Sequence, residues 1–464
     1  MKKLKDFLHL LGTALKGTEQ DYTNLGIKKS IVLLSTPMIL EMLMESLFAI
    51  VDIFFVGRLG AVALATVGLT ESVLMIIYSM GMGIGMAATA MVARRVGEKN
   101  YREAGSVTFQ LLVTGFVLSV LTGFFAAYYA PEILKIMGGS PKVVAEGTAY
   151  ARIIFAGNFA ILLLFLINGA FRGAGQPHLA MRTLWLSNGL NIVLDPLLIF
   201  GLGSFEGLGL AGAAWATTIG RSIGVLYQLY HLLNGKHLLK IAREDIILSF
   251  SVVFRILKVS VGGMGQFLIE SASWIFLTRI MAEFGSKNLA GYTIAFRVIG
   301  FTLLPAWGLA SAAATLVGQN LGAGKIKRAE ISVLLTSRYN AIFLGLITIL
   351  FLIFGSSIAG LFSDDPEVIE IASEALKIIT LGYVFFGIGM VMIQAFNGAG
   401  DTRTPALINV LVLWLIEIPF AYALAIYLEM EATGIFVAIA ICHSLHALVS
   451  WWLFKKGRWK TVRV

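Results

Sequence analysis

Charge is what this chain most conspicuously lacks. Only 14% of its 464 residues are Asp, Glu, Lys or Arg, and 58% are apolar, whereas soluble domains carry about 25% charged residues. That balance excludes an ordinary water-soluble globule and makes lipid the natural solvent. Cysteine is nearly absent as well. Cys442 stands alone, so no disulfide can close within the chain, and the redox compartment is not written in its cysteines. There is no HExxH, nucleophile elbow or acidic catalytic loop, so an intramembrane enzyme is not expected. Nothing resembles the selectivity filter of a channel. Nor do the first 29 residues read as a cleavable signal, because their apolar run is short, is broken by His9 and lacks a small-residue cleavage site.

What the chain has instead is a series of long uncharged stretches, each near the roughly 20 residues that a helix needs to cross a bilayer. Twelve can be drawn, at about 30–56, 64–92, 107–129, 146–170, 180–203, 208–233, 250–282, 289–316, 331–354, 374–396, 405–428 and 433–455. The expected fold is therefore all-α and integral to the membrane. Ahead of the first span, Leu4, Phe7, Leu8, Leu11 and Leu15 share one helical face, with Lys2, Lys3, Lys5 and Lys16 around them, a pattern suited to an interfacial helix.

The formal charge of +9 could suggest nucleic acid, so its distribution decides its meaning. With the N-terminus in the cytoplasm, inside segments hold 27 of the 36 Lys and Arg, among them Lys28, Lys29, Arg94, Arg95, Lys325 and Arg328. Outside loops hold five, and Arg152, Arg221, Arg297 and Lys377 fall within or at the ends of spans. This positive-inside bias places the chain in the cell membrane with both termini cytoplasmic. The basic charge then meets anionic lipid, and no nucleic-acid partner is expected.

The chain also repeats itself at a single ungapped offset of 225 residues. Glu45-Ser46 recurs as Glu270-Ser271, Gly60 as Gly285, Gly97 as Gly322 and Pro141 as Pro366. Phe171-Arg-Gly-Ala-Gly175 recurs as Phe396-Asn-Gly-Ala-Gly400. Six spans is an even number, so both copies enter from the same side and are related by a pseudo-two-fold axis along the membrane normal. Two such bundles enclose a cavity in which polar groups escape lipid. The division reads as an N-terminal segment 1–29, a first bundle 30–233, a linker 234–249, a second bundle 250–455 and a tail 456–464.

Where the repeat fails, it singles out residues. Asp52 corresponds to Leu277 and Asp195 to Phe420, so both acids belong to the first half alone. A carboxylate at the bilayer centre costs roughly 2.5–3.5 kcal/mol on insertion scales, which makes an intramembrane acid a functional hypothesis. Glu41, Glu45 and Asp52 lie within about 60° of one another around the first span. Asn191 and Asp195 form an i,i+4 pair in the fifth, with Asn188 close by on that face. Pro196 frees a carbonyl and kinks the helix beside the acid, and Thr217 in the sixth span offers another oxygen. Asp52 and Asp195 either carry a proton or join Asn191 and Thr217 in a sodium site; the structural reading is hydrogen bonding between helices.

Glu45 and Glu270 recur, and they either organise helix contacts or receive a cationic substrate. Gln266 lies one turn before Glu270, and Arg297 is placed to pair with it. Glu417, ahead of Pro419, reads as a counterpart of Asp195-Pro196 after a shift of two or three residues. Glu41 and Glu71 are weaker functional candidates, with the lipid interface or a structural role as the alternative. His443, His446 and the Met-rich run from Met80 to Met91 suit packing.

Several segments resemble the multidrug and toxic compound extrusion (MATE) transporters. They are Val51-Asp-Ile-Phe-Phe-Val-Gly-Arg-Leu-Gly60, the loop from Arg94-Arg95 to Gly105, Asn191-Ile-Val-Leu-Asp-Pro196, Gly212-Ala-Ala-Trp-Ala-Thr217 and Phe396-Asn-Gly-Ala-Gly-Asp-Thr-Arg-Thr-Pro405. The resemblance covers about residues 30 to 455. It implies a V-shaped transporter of two six-helix lobes that exports cationic, amphipathic compounds in exchange for protons or sodium. It further implies that Asp52, Asn191 and Asp195, with Thr217 nearby, form the cation site, and that Glu270 matches a seventh-span acid of some members. The tenth span departs from those members: only Glu374 and Lys377 occur, near its start, which speaks against a second-lobe sodium site. The alternative is a flippase for lipid-linked sugars or other lipids, which predicts a basic central cavity. No cofactor is expected beyond the coupling ion, and a monomer is the expected state.

Overall fold

The computed structural model describes residues 2–464; the side chains of Lys2, Lys3 and Leu4, three of those assigned above to the first helix's faces, and of Phe205 lie outside the described residues. A short helix α1 (Lys2–Lys16) leads into α2 (Ile27–Gly57), α3 (Ala61–Gly97), α4 (Tyr101–Tyr128), the short α5 (Ala130–Ile136), α6 (Pro141–Ala156), α7 (Asn158–Gly173), α8 (Pro177–Phe200) and α9 (Leu210–Leu233). The second half runs through α10 (Phe250–Met281), α11 (Ser286–Gly322), α12 (Ile326–Ala359), α13 (Pro366–Thr380), α14 (Tyr383–Ala399), α15 (Arg403–Asn409), α16 (Ile418–Tyr422) and α17 (Glu431–Lys456). A two-residue hairpin, Gly201–Leu202 with Phe205–Glu206, joins α8 to α9.

Twelve membrane-length elements result, because in lipid the backbone must satisfy its own hydrogen bonds and a helix does so within one segment. Among the described residues nine are long and apolar enough to span by themselves, counting α6–α7 and α15–α16 as single runs, and the bent pair α13–α14 makes ten. The other two, α2 and α9, are diluted by polar side chains: Glu41, Glu45 and Asp52 in one, Thr217, Thr218, Arg221 and Gln228 in the other. The tenth span bends by 57° at Leu381–Gly382. The eleventh is wound as π-helix over Val410–Glu417, between α15 and α16. Pro196 does not break its element, since α8 stays helical from Pro177 to Phe200 and the expected kink leaves no interruption.

The repeat is visible in backbone geometry. Gly60 and Gly285 cap α3 and α11 with φ of 97° and 95°, a left-handed conformation that only glycine adopts readily. It is visible in packing too. The sequential neighbours α2 and α3 touch little, as do α10 and α11; instead α2 packs along α11, and α10 along α3. The helices of the two halves, α3 and α11 among them, approach most closely where glycine admits backbone. A Cβ on Gly97 would stand 2.0 Å from the Gln319 carbonyl oxygen, and one on Gly322 would stand 2.1 Å from that of Arg94. Gly83 against Ser260 (2.5 Å) and Gly308 against Met38 (2.7 Å) form a second such pair further in.

All these approaches lie toward one end of the molecule, the end bearing Arg94, Arg95, Lys325 and Arg328. The N-terminal segment packs across it: Gln176 donates to Glu19 (3.1 Å), Arg328 to the Tyr22 carbonyl (3.1 Å) and Lys325 to that of Thr23 (3.1 Å). Burial pushes the Asp21 carboxyl up, but hydrogen bonds from Thr23 and Asn24 and the charge of Lys99 outweigh it and hold the group below its ordinary value. The tail packs there as well, with Trp459 fully buried and Arg94 donating to the Val462 carbonyl (2.7 Å). On α1, Ala14 and Leu10 face the protein, while Phe7, Leu8 and Leu15 stay exposed. Toward the opposite end the halves part around a V-shaped cleft, whose lining reaches down to Thr89 and Ala314.

Candidate functional site

The cleft holds two connected cavities of about 290 and 550 Å³, sharing Met86, Phe267, Leu304, Trp307, Gln394 and Asn397. The first lies against the helices of the first half and is lined by Glu41, Glu45, Arg172 and Arg221. The second lies against the other half and is lined by Glu270, Arg297 and aromatic residues including Trp274, Phe296 and Phe386. Both sizes are in the range or near it for small-molecule pockets, and flexible methionines such as Met82 and Met86 border the first.

The acids of α2 project along one stripe, as their spacing requires, but they meet different partners. Glu41, only 1% exposed, accepts from Arg172 (Nη1 to Oε1, 2.9 Å) and from Asn168 (3.3 Å), which accepts in turn from Gln228 (2.6 Å). Of the two places expected for Glu41, the lipid interface is therefore corrected: it is half of a buried ion pair between helices, as a structural role has it. One turn on, Glu45 accepts from Asn188 (2.9 Å) and Arg221 (3.3 Å). Asp52 is half-buried and makes no hydrogen bond among the described residues, although the charges of Glu71, Arg221 and Asp195 lie within electrostatic reach.

Behind that stripe, Asp195 is fully buried. Asn191 links it to the next helix: turned with its nitrogen toward the carboxylate, the amide donates to Asp195 Oδ2 (2.8 Å) and accepts from the Thr217 hydroxyl (3.1 Å) and backbone N–H (3.0 Å). Asp52, Asn191, Asp195 and Thr217 thus offer two carboxylates, an amide and a hydroxyl from three helices, hard oxygen donors suited to a proton or a small cation. In the second half the equivalent positions are Leu277, Ile416, Phe420 and Cys442. None of the four is a carboxylate, an amide or a hydroxyl.

The second half is wired differently. Gln266 and Asn397 exchange amide hydrogen bonds (3.0 and 3.1 Å), and Gln266 also donates to the Thr402 carbonyl (2.8 Å). Asn409 joins this network through the Gln266 carbonyl (3.2 Å) and through His446 (2.9 Å). Glu417 accepts from Ser273 (3.2 Å) and lies 3.8 Å from His443. Glu374 accepts from Thr433 (2.8 Å). The pairing expected between Glu270 and Arg297 does not form: both are exposed to the same cavity, and neither has a hydrogen bond or salt bridge among the described residues.

Sequence reasoning missed Arg172 and Arg221 as partners of Glu41 and Glu45. The signal for the first was present, since Glu41 corresponds to Gln266 and Arg172 to Asn397. Two positions that lose their charge together across a repeat are expected to touch, and they do.

The MatE family model matches residues 37–197 and 264–423, one match in each half. The probable multidrug resistance protein YoeA of Bacillus subtilis is 27% identical over 428 residues, which is 91% of this chain and 92% of that protein. The FAD transporter of Shewanella oneidensis is 26% identical over 409 residues, 88% of this chain and 90% of that protein. Among solved structures, the outward-facing conformation of a multidrug resistance MATE family transporter of the MOP superfamily superposes with a TM-score of 0.89 at 26% identity, over 95% of this chain and 98% of that one.

Proposed function

The chain belongs to the MatE family as a multidrug efflux transporter, and we propose that it drives export of cationic, amphipathic compounds by antiport with protons or sodium. The observation that carries this reading is the constellation in which Asn191 bridges Asp195 and Thr217 beside Asp52, whereas the positions 225 residues on are Leu277, Ile416, Phe420 and Cys442 and the second half's buried acid, Glu417, is held by Ser273 and lies against His443 instead. A scaffold would repeat; an ion site need occur only once.

Asp52 is the free member of the set and the first to take up the incoming cation. Uptake cancels its repulsion with Asp195 and draws α2 toward α8 and α9. Because Glu45 on α2 is bonded to Asn188 on α8 and Arg221 on α9, the same movement deforms the first cavity and lowers its hold on the drug. Inward passage of one positive charge down 100 mV supplies about 2.3 kcal/mol before any concentration gradient is counted. The basic end faces the cytoplasm by the positive-inside rule, so this conformation is closed inside and releases cargo outward. The N-terminal helix lies at the cytoplasmic lipid interface, with Phe7, Leu8 and Leu15 turned to lipid.

Lipid flipping expects a basic cavity. The cleft instead carries as many glutamates as arginines, Glu41, Glu45 and Glu270 against Arg172, Arg221 and Arg297, which favours small-molecule export. Drug-efflux assays on Asp52→Asn and Asp195→Asn are expected to show loss of gradient-driven export with the protein still in the membrane; full export by both variants refutes the assignment.

A further inference from the structure

Away from the cleft, a separate hollow of about 830 Å³ lies at the basic end, between α1, α2 and α12. Leu10, Val32 and Tyr339 form its apolar wall, and Lys28 and Lys29 line it from the exposed start of α2. We propose that this hollow is a binding site for one anionic phospholipid of the surrounding membrane, with the phosphate on Lys28 and Lys29 and the acyl chains along the apolar wall. The site goes beyond the export reading and stands whatever the cleft carries.

Charge selects the headgroup. At this end of the molecule Lys325 and Arg328 are already engaged, donating to the carbonyls of Thr23 and Tyr22. Lys28 and Lys29, by contrast, form no hydrogen bond or salt bridge among the described residues. Asp6 is the one acid lining the hollow among the described residues, against two lysines and His9, so the local charge is positive. A lysine ammonium on its flexible stem binds phosphate as a compact point charge, and lysines beside a membrane span attract anionic lipid. A zwitterionic headgroup carries its own cation to the same place and gains much less.

Apolar surface selects the rest of the ligand. Val32 lies one turn beyond Lys28 on α2, about 6 Å further along the helix and into the membrane. Leu10 and Tyr339 pack against the buried cluster that includes Ile31, Leu34 and Leu316, while Phe7 and Leu8 stay exposed. The hollow thus passes from charged to apolar in the direction in which a phospholipid passes from head to chain. A soluble phosphate uses the lysines but leaves the apolar wall against water. The volume falls within the roughly 300–1,000 Å³ of small-molecule sites, room for a headgroup and the start of its chains. Because α2 belongs to the first half and α12 to the second, the lipid sits on their seam, at the end where the cleft is closed.

Native mass spectrometry of the purified full chain in detergent, with one lipid added at a time, counts retained lipid directly. Phosphatidylglycerol is expected to be retained at least about tenfold more than phosphatidylcholine with the same chains. Inorganic phosphate at the same concentration is expected not to displace it. Lys28→Gln combined with Lys29→Gln is expected to bring phosphatidylglycerol down to the phosphatidylcholine level, and Lys28→Arg with Lys29→Arg to keep most of the preference. Lys455→Gln with Lys456→Gln removes equal charge from the same end, where these lysines lie over Trp451 and Trp452, and is expected to leave retention unchanged. Size-exclusion profile and thermal unfolding of each variant establish that it is folded. Equal retention of the two lipids, displacement by phosphate, or no retained lipid overturns the proposal. So does a preference that survives the loss of Lys28 and Lys29, or one that falls equally with Lys455 and Lys456.

Discussion

At the scale of single residues, the chemistry of the molecule is set by where its two halves differ. The buried Glu41–Arg172 ion pair of the first half becomes the neutral Gln266–Asn397 amide pair of the second, at the same places in the same helices. Breaking a buried pair by removing one partner strands the other, at a cost of about 3 kcal/mol or more. Glu41→Gln alone is therefore expected to lower the thermal unfolding temperature clearly, whereas Glu41→Gln combined with Arg172→Asn rebuilds the second-half arrangement and recovers most of the loss. A double variant as unstable as the sum of its single changes contradicts this reading. The acids themselves were legible in the sequence, because a carboxylate inside an apolar run is conspicuous. Their partners were not: Arg172 sat in a block read as evidence of repetition, Arg221 was only one of four basic residues falling within or at the ends of spans, and side-chain pairing between distant spans leaves no local pattern.

At the scale of elements, apolar length located all twelve spans, and their uneven windings were hidden. The bend between α13 and α14 follows from tertiary packing, with Gly382 pressed against the backbone of Ala440, where a Cβ would meet its carbonyl oxygen at 2.8 Å. The π segment Val410–Glu417 turns less per residue than α-helix and displaces the register beyond it. The glycine contacts of α3 with α11 depend on absence of a side chain, so they carry a sharp expectation. Gly97→Val and Gly322→Val each force the basic end apart. A cysteine introduced at Ala314, which borders the first cavity and is 4% exposed, is expected to become reactive to a membrane-impermeant maleimide from that end. Background is low because Cys442 is buried. Unchanged labelling in both variants contradicts the view that these glycines hold the closure.

At the scale of the whole molecule, the repeat and the charge distribution foretold two like-oriented bundles around a cleft. They did not foretell that the cleft would be closed at one end by helices exchanged between the halves, strapped by residues 19–23 and by the tail around Trp459. Nor did the sequence reveal that the cleft is balanced in charge: the excess of intramembrane acid is real, but the cleft's own acids are matched by Arg172, Arg221 and Arg297, residues brought there only by folding. What links these parts is the claim that a cation site in the first half alone powers movement of cargo through the common cleft. Flux of a rhodamine dye into proteoliposomes, under proton and sodium gradients imposed separately, tests that claim most directly. The account predicts flux driven by one of the two gradients and abolished by Asp52→Asn; flux that needs neither gradient, or that persists undiminished in the variant, contradicts it.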